Sequence, residues 1–328
     1  MRTLYIIGNG FDLYHGLDTS YQSFAKYLSN SDNFEVTEIY ELLVMYYYLP
    51  NLTCDSSDEE YGMWATFEDS LANLDYEQAL LDKSHYIVDL SANDFRDRDW
   101  HAYQIEMELL IDKLTTQLIS VFELFILGID YPVDISDRKI SLEINALFLN
   151  FNYTDSLERY YNIDKYKILH IHNKATNNCE SIILGHGTDP SYFKVKESQP
   201  PTGLTEDQLE IWREHMSEQY DYSYESAKEE ILSYYTTAFK NTQSIIIEKK
   251  EFFEKLSNVD SIIVLGHSIS QVDIGYFKEV HKYVKSNAIW TVSYYSQTER
   301  TGHFETLLDI GIKRKSINQI LISSIKIQ

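Results

Sequence analysis

The chain has few cysteines, few basic side chains and no long apolar segment. Only 2 of its 328 residues are cysteine, too few for a disulfide framework, so we expect a reducing, cytoplasmic environment. Lysine and arginine number 28 against 51 acidic residues, and the net charge of -23 should repel nucleic-acid backbones. No apolar run reaches the roughly 18 residues of a membrane-spanning helix, and we identify no secretion signal. The composition therefore favours a soluble protein with neither membrane nor nucleic acid as its partner.

The most informative stretch is Thr3 to Asp12, an apolar run that ends at two glycines and continues into a helical pattern. It predicts a first strand followed by a ligand loop. Glycine allows a sharp turn and close approach to a bound group, and free N–H groups at a helix start suit phosphate. The dinucleotide fingerprint is incomplete, because Leu13 stands where a third glycine is expected. The predicted ligand-binding positions of this loop are Gly8, Asn9, Gly10 and Phe11.

Short apolar runs that end in polar or glycine residues recur later in the chain. They predict buried parallel strands, and their alternation with helical patterns predicts a single α/β domain over residues 1–328 with a Rossmann-like parallel sheet. Residues 20–140 show no convincing strand and should form a large helical insertion after the first strand, with a second helical segment at 200–258. The predicted strands are Ala146–Phe151, Lys167–His172, Ser181–Gly185, Ser261–Gly266, Ala288–Tyr294 and Ile317–Ile327.

One apolar face of the insertion carries Trp64, Phe67 and Leu71 at helical spacing. We expect this face to pack towards the glycine loop and to act as a lid. Glu68 lies next to the face and can point into the same cavity. A solvated helix surface is the alternative interpretation of Glu68.

Polar residues follow the predicted strands of the middle region. Asn152 comes directly after one strand, and its amide could hold a sugar hydroxyl or a water. Asp155 with Glu158 resembles a helix-capping pair, so we assign Asp155 to capping. His170 and His172 are two residues apart and should share one face of a strand, where a neutral imidazole can act as a general base.

Two further histidines, His186 and His267, end later predicted strands between small residues. Each could instead be a hydrogen-bonded structural residue, because strand order is not visible in the sequence. His186 together with His170, His172 and Cys179 also offers metal ligands. Their spacing matches no standard zinc arrangement, so we expect an organic ligand and no metal.

Together these motifs resemble the AbiH family of bacteriophage abortive-infection proteins. The resembling segments are IIGNGFDLYHGLDTSYQSF, WATFEDSLANLD, FLNFNYTDSLERYYN, HIHN, ILGHG and VLGHSISQVDIGYF. More distantly, their order is similar to that of the sirtuin-like NAD-binding fold. In that fold a glycine loop, a strand-end Asn, a His-Gly pair and a late Gly-x-Ser loop surround the dinucleotide. The resemblance implies an antiphage role and a sirtuin-like site for NAD or a related nucleotide.

By this resemblance Asn152 and His172 fall on catalytic positions, and Asp12 or Glu68 could stabilise positive charge on the sugar. Asn173 departs from the sirtuin-like pattern, which has glycine there. No zinc-binding cysteine module is present, so we do not expect protein deacylation, and what remains is binding or hydrolysis of NAD or a related nucleotide. The remaining cofactor-binding positions implied are His186, Gly187, Gly266, His267, Ser268 and Asp273.

Two other functions remain open at this point. The same pocket could sense a nucleotide without catalysis while the insertion contacts a partner, or the protein could be a metal-dependent hydrolase of nucleic acid or phosphoesters. Fold analogy does not decide among them. An abortive-infection role also implies restraint, so we expect a phage-derived trigger or a change in homo-oligomeric assembly to control activity.

Overall fold

The computed structural model describes residues 2–52, 58–88, 96–176, 181–195, 199–218 and 220–325. At its centre lies a sheet of six parallel strands in the order β3-β2-β1-β4-β5-β6, which is the strand order of the Rossmann fold. The prediction of an α/β fold with a Rossmann-like parallel sheet is confirmed. The strands are β1 Thr3–Ile7, β2 Leu147–Asn150, β3 Ile168–His170, β4 Ser261–Leu265, β5 Ile289–Tyr294 and β6 Ile317–Leu321.

The register of the central strands brings three loops together. Every residue of β1 is buried, as expected for the middle of a parallel sheet. Leu4 pairs with Leu147 on one side and with Ile262 on the other, while Ile7 at the far end pairs with Asn150 and Leu265. The loops that follow β1, β2 and β4 therefore begin side by side at one edge of the sheet.

The predicted strand at 181–185 is wrong. The Ile183 N–H donates to the His172 carbonyl at 2.9 Å, and only His186 forms a bridge, an isolated one with Phe239. Ile182 and Leu184 pack into the helical layer, so this segment lies where the sheet meets that layer. Its apolar run reflects burial between layers and not pairing in the sheet.

Helices account for the regular structure between β1 and β2 in the described part of the chain, and they also separate most of the later strands. The first group is α1 Asn9–Tyr14, α2 Tyr21–Ser29, α3 Phe34–Tyr47, α4 Asp58–Ala65, α5 Phe67–Ser70, α6 Tyr76–Asp82, α7 Ala102–Asp112 and α8 Leu118–Leu127, with the π-helical stretch Lys113–Gln117 between the last two. The second group is α9 Ser156–Tyr161, α10 Glu206–Glu218, α11 Tyr222–Thr237, α12 Thr242–Glu248, α13 Lys250–Glu254, α14 Ile274–Tyr283 and α15 Gln297–Asp309.

Short 3-10 turns complete the described elements. They are Leu71–Asn73, Ser84–Tyr86, Asp97–His101, Lys165–Lys167, Pro190–Phe193, Lys255–Asn258, Gln271–Asp273, Arg314–Ser316 and Ile322–Ser324. None of the described helices is long and apolar enough to cross a membrane.

Apolar side chains form three cores. One face of the sheet packs against α12 to α15, and the opposite face packs against α1 and α9. The third core lies inside a helical layer built from α2 to α8 together with α11. This layer covers the sheet edge at which β1, β2 and β4 end.

The predicted lid face is part of that third core. Trp64 and Phe67 are fully buried, and the Trp64 ring stacks on Tyr40 and on Phe67. The expectation that this face packs towards the glycine loop is wrong, because side chains this apolar gain more from the aromatic core of the layer. Ala65, Thr66, Glu68 and Asp69 face the cavity instead.

Candidate active site

A cavity of about 790 Å³ opens at the sheet edge where β1, β2 and β4 end. In a sheet of this order the crevice between β1 and β4 is the point where the strand order reverses, because β2 and β3 are added on one side of β1 and β4 to β6 on the other. Ligands of open α/β folds bind at such a point. Its volume lies within the usual range for small-molecule sites. Side chains of the helical layer close the other side, among them Tyr21, Thr66, Glu68, Asp69 and Phe122.

Most of the predicted site residues line this one cavity. All four predicted catalytic residues do so, and so do seven of the predicted cofactor-binding residues. These are Asn152, His172, Asp12 and Glu68, with Gly8, Asn9, Gly10, Gly266, His267, Ser268 and Asp273.

Three predicted site residues lie elsewhere. Phe11 is buried in the core against His15 and Tyr161. The His186 ring is surrounded by aromatic rings of the helical layer, and Gly187 packs against the backbone of Val272. None of the three belongs to the cavity lining.

The two glycines of the loop after β1 pack against the loop after β4. Gly8 N–H donates to the Leu265 carbonyl at 2.9 Å, and Gly10 N–H donates to the Gly266 carbonyl at 2.7 Å. A Cβ on Gly8 would lie 2.6 Å from the His267 Cα, and one on Gly10 would lie 2.9 Å from the Gly266 Cα. The expected free N–H groups are therefore already bonded at these two positions. Glycine is required here because two backbones meet without room for side chains.

Asp12 is the buried carboxylate of the cavity floor. It is 0% exposed and accepts hydrogen bonds from the Thr154 and Ser156 hydroxyls, both at 2.6 Å. Burial raises the pKa of Asp12 to about 6, although the two hydroxyls and the nearby Asn152 amide oppose the shift. Asn152 Nδ2 itself is buried and meets no acceptor with hydrogen-bond geometry among the described residues.

The capping role predicted for Asp155 is wrong. Asp155 occupies the N-cap position of α9, but its side chain accepts no capping hydrogen bond and pairs with Arg159 at 3.3 Å. Glu158 is not a capping partner either, since it contacts Lys174 at 2.9 Å and His170 at 3.5 Å. Burial would raise the pKa of Glu158, but hydrogen bonds from His170 and Lys174 lower it to about 2.

His170 and His172 do not share a face. β3 ends at His170, and the chain turns before His172, so the alternation of a strand does not continue between them. His170 contacts Glu158 beside α9, whereas His172 lies against Phe151 and Tyr276 at the cavity. The structure thus places only the second histidine at the candidate site.

The Asp273 carboxylate lies beside two histidine rings. Its Oδ1 lies 3.5 Å from His172 Nε2, and its Oδ2 lies 3.5 Å from His267 Nε2. The Ile269 N–H donates to His267 Nδ1 at 2.9 Å, so the proton of the neutral ring is on Nε2 and faces Asp273. Burial lowers the pKa of His267 to about 3 and that of His172 well below its usual value. Both rings are therefore neutral near pH 7.

Lys240 is a buried charged residue beside the cavity that no sequence pattern indicates. Its side chain is 0% exposed, and Nζ lies 3.1 Å from Asp273 Oδ1 and in contact with Glu68 Oε2. Tyr21 donates to the other Glu68 oxygen at 2.5 Å. Burial would lower the pKa of Lys240, but Asp273 and Glu68 raise it, so the side chain is a charged ammonium. It follows α11 in a turn between two helices, where no strand-end pattern marks it.

A family model described as bacteriophage abortive infection AbiH matches residues 4–294. The chain belongs to the AbiH family. The match contains every lining residue of the cavity except Tyr295, Glu299 and Ile322. Neither a curated protein nor a solved structure shows a significant match to the chain. The resemblance to AbiH proteins is confirmed, and family membership supports an antiphage, abortive-infection role.

The AbiH-family site does not bring the proposed metal ligands together. Among the residues that the structure describes, no three His, Cys, Asp or Glu side chains are placed to hold one metal ion. His170, His172 and His186 have separate surroundings, and Cys179 lies outside the described residues. The metal-dependent alternative therefore has no candidate ligand set in the described part of the chain.

Two polar atoms of the cavity lining need a partner. Asn152 Nδ2 and His172 Nε2 are buried, and neither makes a hydrogen bond of full geometry to the described residues, although the Asn152 amide lies near enough to Asp12 to lower its pKa. Asp273 Oδ1 approaches His172 Nε2 to 3.5 Å, which is an electrostatic contact longer than an ordinary hydrogen bond. The amide N–H can donate a hydrogen bond to a sugar hydroxyl or a water. The neutral imidazole can accept a proton from that hydroxyl or water.

Proposed function

We propose that this AbiH-family protein binds NAD or a related nucleotide in the cavity and hydrolyses its N-glycosidic bond as part of an antiphage response. The observation that carries the proposal is that Asn152 and His172 line one cavity and each has a buried polar atom without a hydrogen bond of full geometry to the described residues. Leaving a buried polar group unpaired costs about 1–3 kcal/mol, so a ligand that supplies hydroxyl groups at this point is favoured.

The reaction can be written with these residues. The bond between C1′ of the ribose and the nicotinamide nitrogen breaks, and its electron pair leaves with nicotinamide. A water oxygen adds to C1′, and the proton of that water passes to His172. Asn152 positions the water or a ribose hydroxyl. Asp12, ionised above a pKa of about 6, stabilises the cation-like sugar.

The charges of the cavity lining favour the cationic half of the ligand. The lining includes Asp12, Glu68, Asp69, Asp273 and Glu299, but no lysine or arginine among the described residues. Lys240 pairs with both Glu68 and Asp273, and Asp12 lies beside Asn152, so we assign to Asp12 the stabilisation of developing positive charge. We place the nicotinamide riboside inside the cavity and the pyrophosphate towards its opening.

The test combines binding and turnover. NAD, ADP-ribose and nicotinamide are titrated calorimetrically into the wild type, and nicotinamide release from NAD is measured for Asn152→Ala and His172→Ala. Loss of a general base typically costs about 10²–10⁴ in rate, so His172→Ala should be nearly inactive while remaining folded. His170→Ala is the comparison variant, because the His170 ring is not part of the cavity lining and contacts Glu158 and, of Asn152, only the backbone oxygen.

Each outcome separates the hypotheses. Binding without nicotinamide release by the wild type would support the nucleotide-sensing alternative over hydrolysis. An active His172→Ala with an inactive His170→Ala would show that the wrong imidazole was chosen. Failure of all three compounds to bind the folded wild type would remove the proposal.

The same variants address the cellular role. We propose that activity is restrained until a phage-derived trigger or a change in assembly releases it. Cellular NAD should then fall during phage challenge in cells with the wild type and stay constant with His172→Ala. Protection of cells by the wild type at constant NAD would contradict NAD hydrolysis as the defence mechanism.

A further inference from the structure

We propose that Lys240 is the positioning residue of the candidate site. Its ammonium fixes the carboxylate of Asp273, and that carboxylate in turn orients the imidazole of His172. The inference rests on the proposed function only in taking His172 as the reacting group. Lys240 is not among the residues that line the cavity, so it acts through its neighbours and not on the substrate.

The ammonium lies between two layers of the fold. Glu68 belongs to α5 of the helical layer, whereas Asp273 directly precedes α14 on the sheet. Lys240 Nζ contacts both carboxylates in a fully buried position. A buried ammonium with two carboxylate partners is held in one place, since any movement would leave a charge unpaired in a low-dielectric interior.

Asp273 lies between the Lys240 ammonium and both histidines. Its Oδ1 faces Lys240 Nζ at 3.1 Å and His172 Nε2 at 3.5 Å, and its Oδ2 faces His267. Burial is the largest cause that lowers the pKa of His172 and His267, and the Lys240 charge lowers both further, whereas a carboxylate beside an imidazole acts in the opposite direction. The lysine thereby keeps the imidazole of His172 free to accept a proton.

Other groups also face His172 and affect its protonation. The Tyr153 and Tyr276 rings pack against it, and the His267 imidazole also disfavours its protonation. Both tyrosines have a pKa raised by burial and remain neutral, and His267 is neutral as well. Lys240 is therefore the charged group whose effect on the pKa of His172 opposes the effect of Asp273.

A glycine-rich loop holds Lys240 in place. His186 N–H donates to the Ala238 carbonyl at 3.0 Å, and Lys240 N–H donates to the His186 carbonyl at 2.8 Å. A Cβ on Gly185 would lie 2.1 Å from the Ala238 oxygen, and one on Gly187 would lie 3.0 Å from the Val272 Cα. The motif at 185–187 thus fixes the backbone at Lys240 and next to Asp273, which explains a sequence feature that we predicted to bind ligand.

The first experiment separates positioning from a merely structural ion pair. Lys240→Met leaves two buried carboxylates without a cation and can fail to fold, so the decisive variant is Lys240→Met combined with Glu68→Gln. The imidazole nitrogen shifts of His172 and His267 are followed by NMR against pH. We expect the pKa of His172 to rise from its value in the wild type, because the Lys240 charge that helps to lower it is gone, while burial, the larger cause, remains.

Activity gives a second readout. A higher pKa of the base moves the rising limb of the kcat/KM profile to higher pH, and loss of orientation should lower kcat/KM by about 10²-fold, as displacements of about 1 Å do elsewhere. A folded double variant with the histidine shifts and the pH profile of the wild type would overturn the proposal. The NMR result stands even if no NAD turnover exists, so failure of the two proposals can be told apart.

A remote variant tests the loop. Gly185→Ala should displace the backbone at 238–240 and reproduce the change in the His172 nitrogen shifts without altering any charge. Gly302→Ala is the matched control, because a Cβ there meets nothing within 4 Å. Wild-type His172 shifts in folded Gly185→Ala would show that the loop does not position Lys240.

Discussion

Replacing the Asp12 carboxylate by an amide should make the protein more resistant to unfolding at neutral pH. The pKa of Asp12 is raised from 3.8 to about 6, so the folded state holds its proton more tightly than the unfolded state. The stability that this group contributes is present below about pH 4 and is lost as pH rises through about 6. At 1.36 kcal/mol per pKa unit, the loss amounts to about 3 kcal/mol.

The Asp12→Asn variant lacks this titration and keeps the shape of the side chain. The Thr154 and Ser156 hydroxyls donate to Asp12, and a hydroxyl can rotate to accept from an amide. The difference in unfolding free energy, variant minus wild type, should therefore rise by about 3 kcal/mol from pH 3 to pH 7. Roughly half of the rise falls above pH 5. Urea denaturation at a series of pH values measures this difference.

A second variant checks the cause. The Ser156 hydroxyl lowers the pKa of Asp12, so Ser156→Ala should raise that pKa further and enlarge the loss of stability between pH 4 and pH 7. A pH-independent difference between Asp12→Asn and the wild type would refute the reasoning. A buried carboxylate that weakens the fold at neutral pH is typical of a functional site, which is why this test bears on the proposed function.

Two further predictions follow from packing. Phe67→Asp should unfold the helical layer without releasing activity, because it places a charge in the aromatic core beside Trp64. Circular dichroism measures the loss of helix, and a nicotinamide-release assay measures the activity. A folded, constitutively active Phe67→Asp would restore the lid hypothesis. Gly10→Val should lower the melting temperature as well as ligand affinity, since its Cβ would lie 2.9 Å from the Gly266 Cα. An unchanged melting temperature would contradict the loop contact; Gly302→Ala is its control.

The fold could be predicted from the sequence because buried parallel strands leave a strong local pattern. The apolar runs at Thr3 and Ser261 become adjacent central strands, and the residues after them meet at one edge because parallel strands share a direction. This explains why Asn152, Gly266 and Asp273 could be placed at a common site. The run at Ser181 failed because burial between two layers produces the same apolar pattern as burial in a sheet.

The errors at the site have local causes. His170 and His172 were assigned to one face because the end of β3 is not visible in the sequence. Asp155 looks like a cap, but its carboxylate pairs with Arg159 one helical turn away. Lys240 was missed because a lysine between two helices carries no pattern that distinguishes a buried ion pair from a solvated turn. Only tertiary contacts with Glu68 and Asp273 reveal its role.

The central claim is tested most directly by a crystal structure of the protein with ADP-ribose or NAD. The proposed function predicts a sugar hydroxyl or a water within hydrogen-bond distance of Asn152 Nδ2 and His172 Nε2. Asp12 should face the anomeric carbon. Electron density for the ligand at another place, or an empty cavity at a ligand concentration that saturates binding in solution, would contradict the claim.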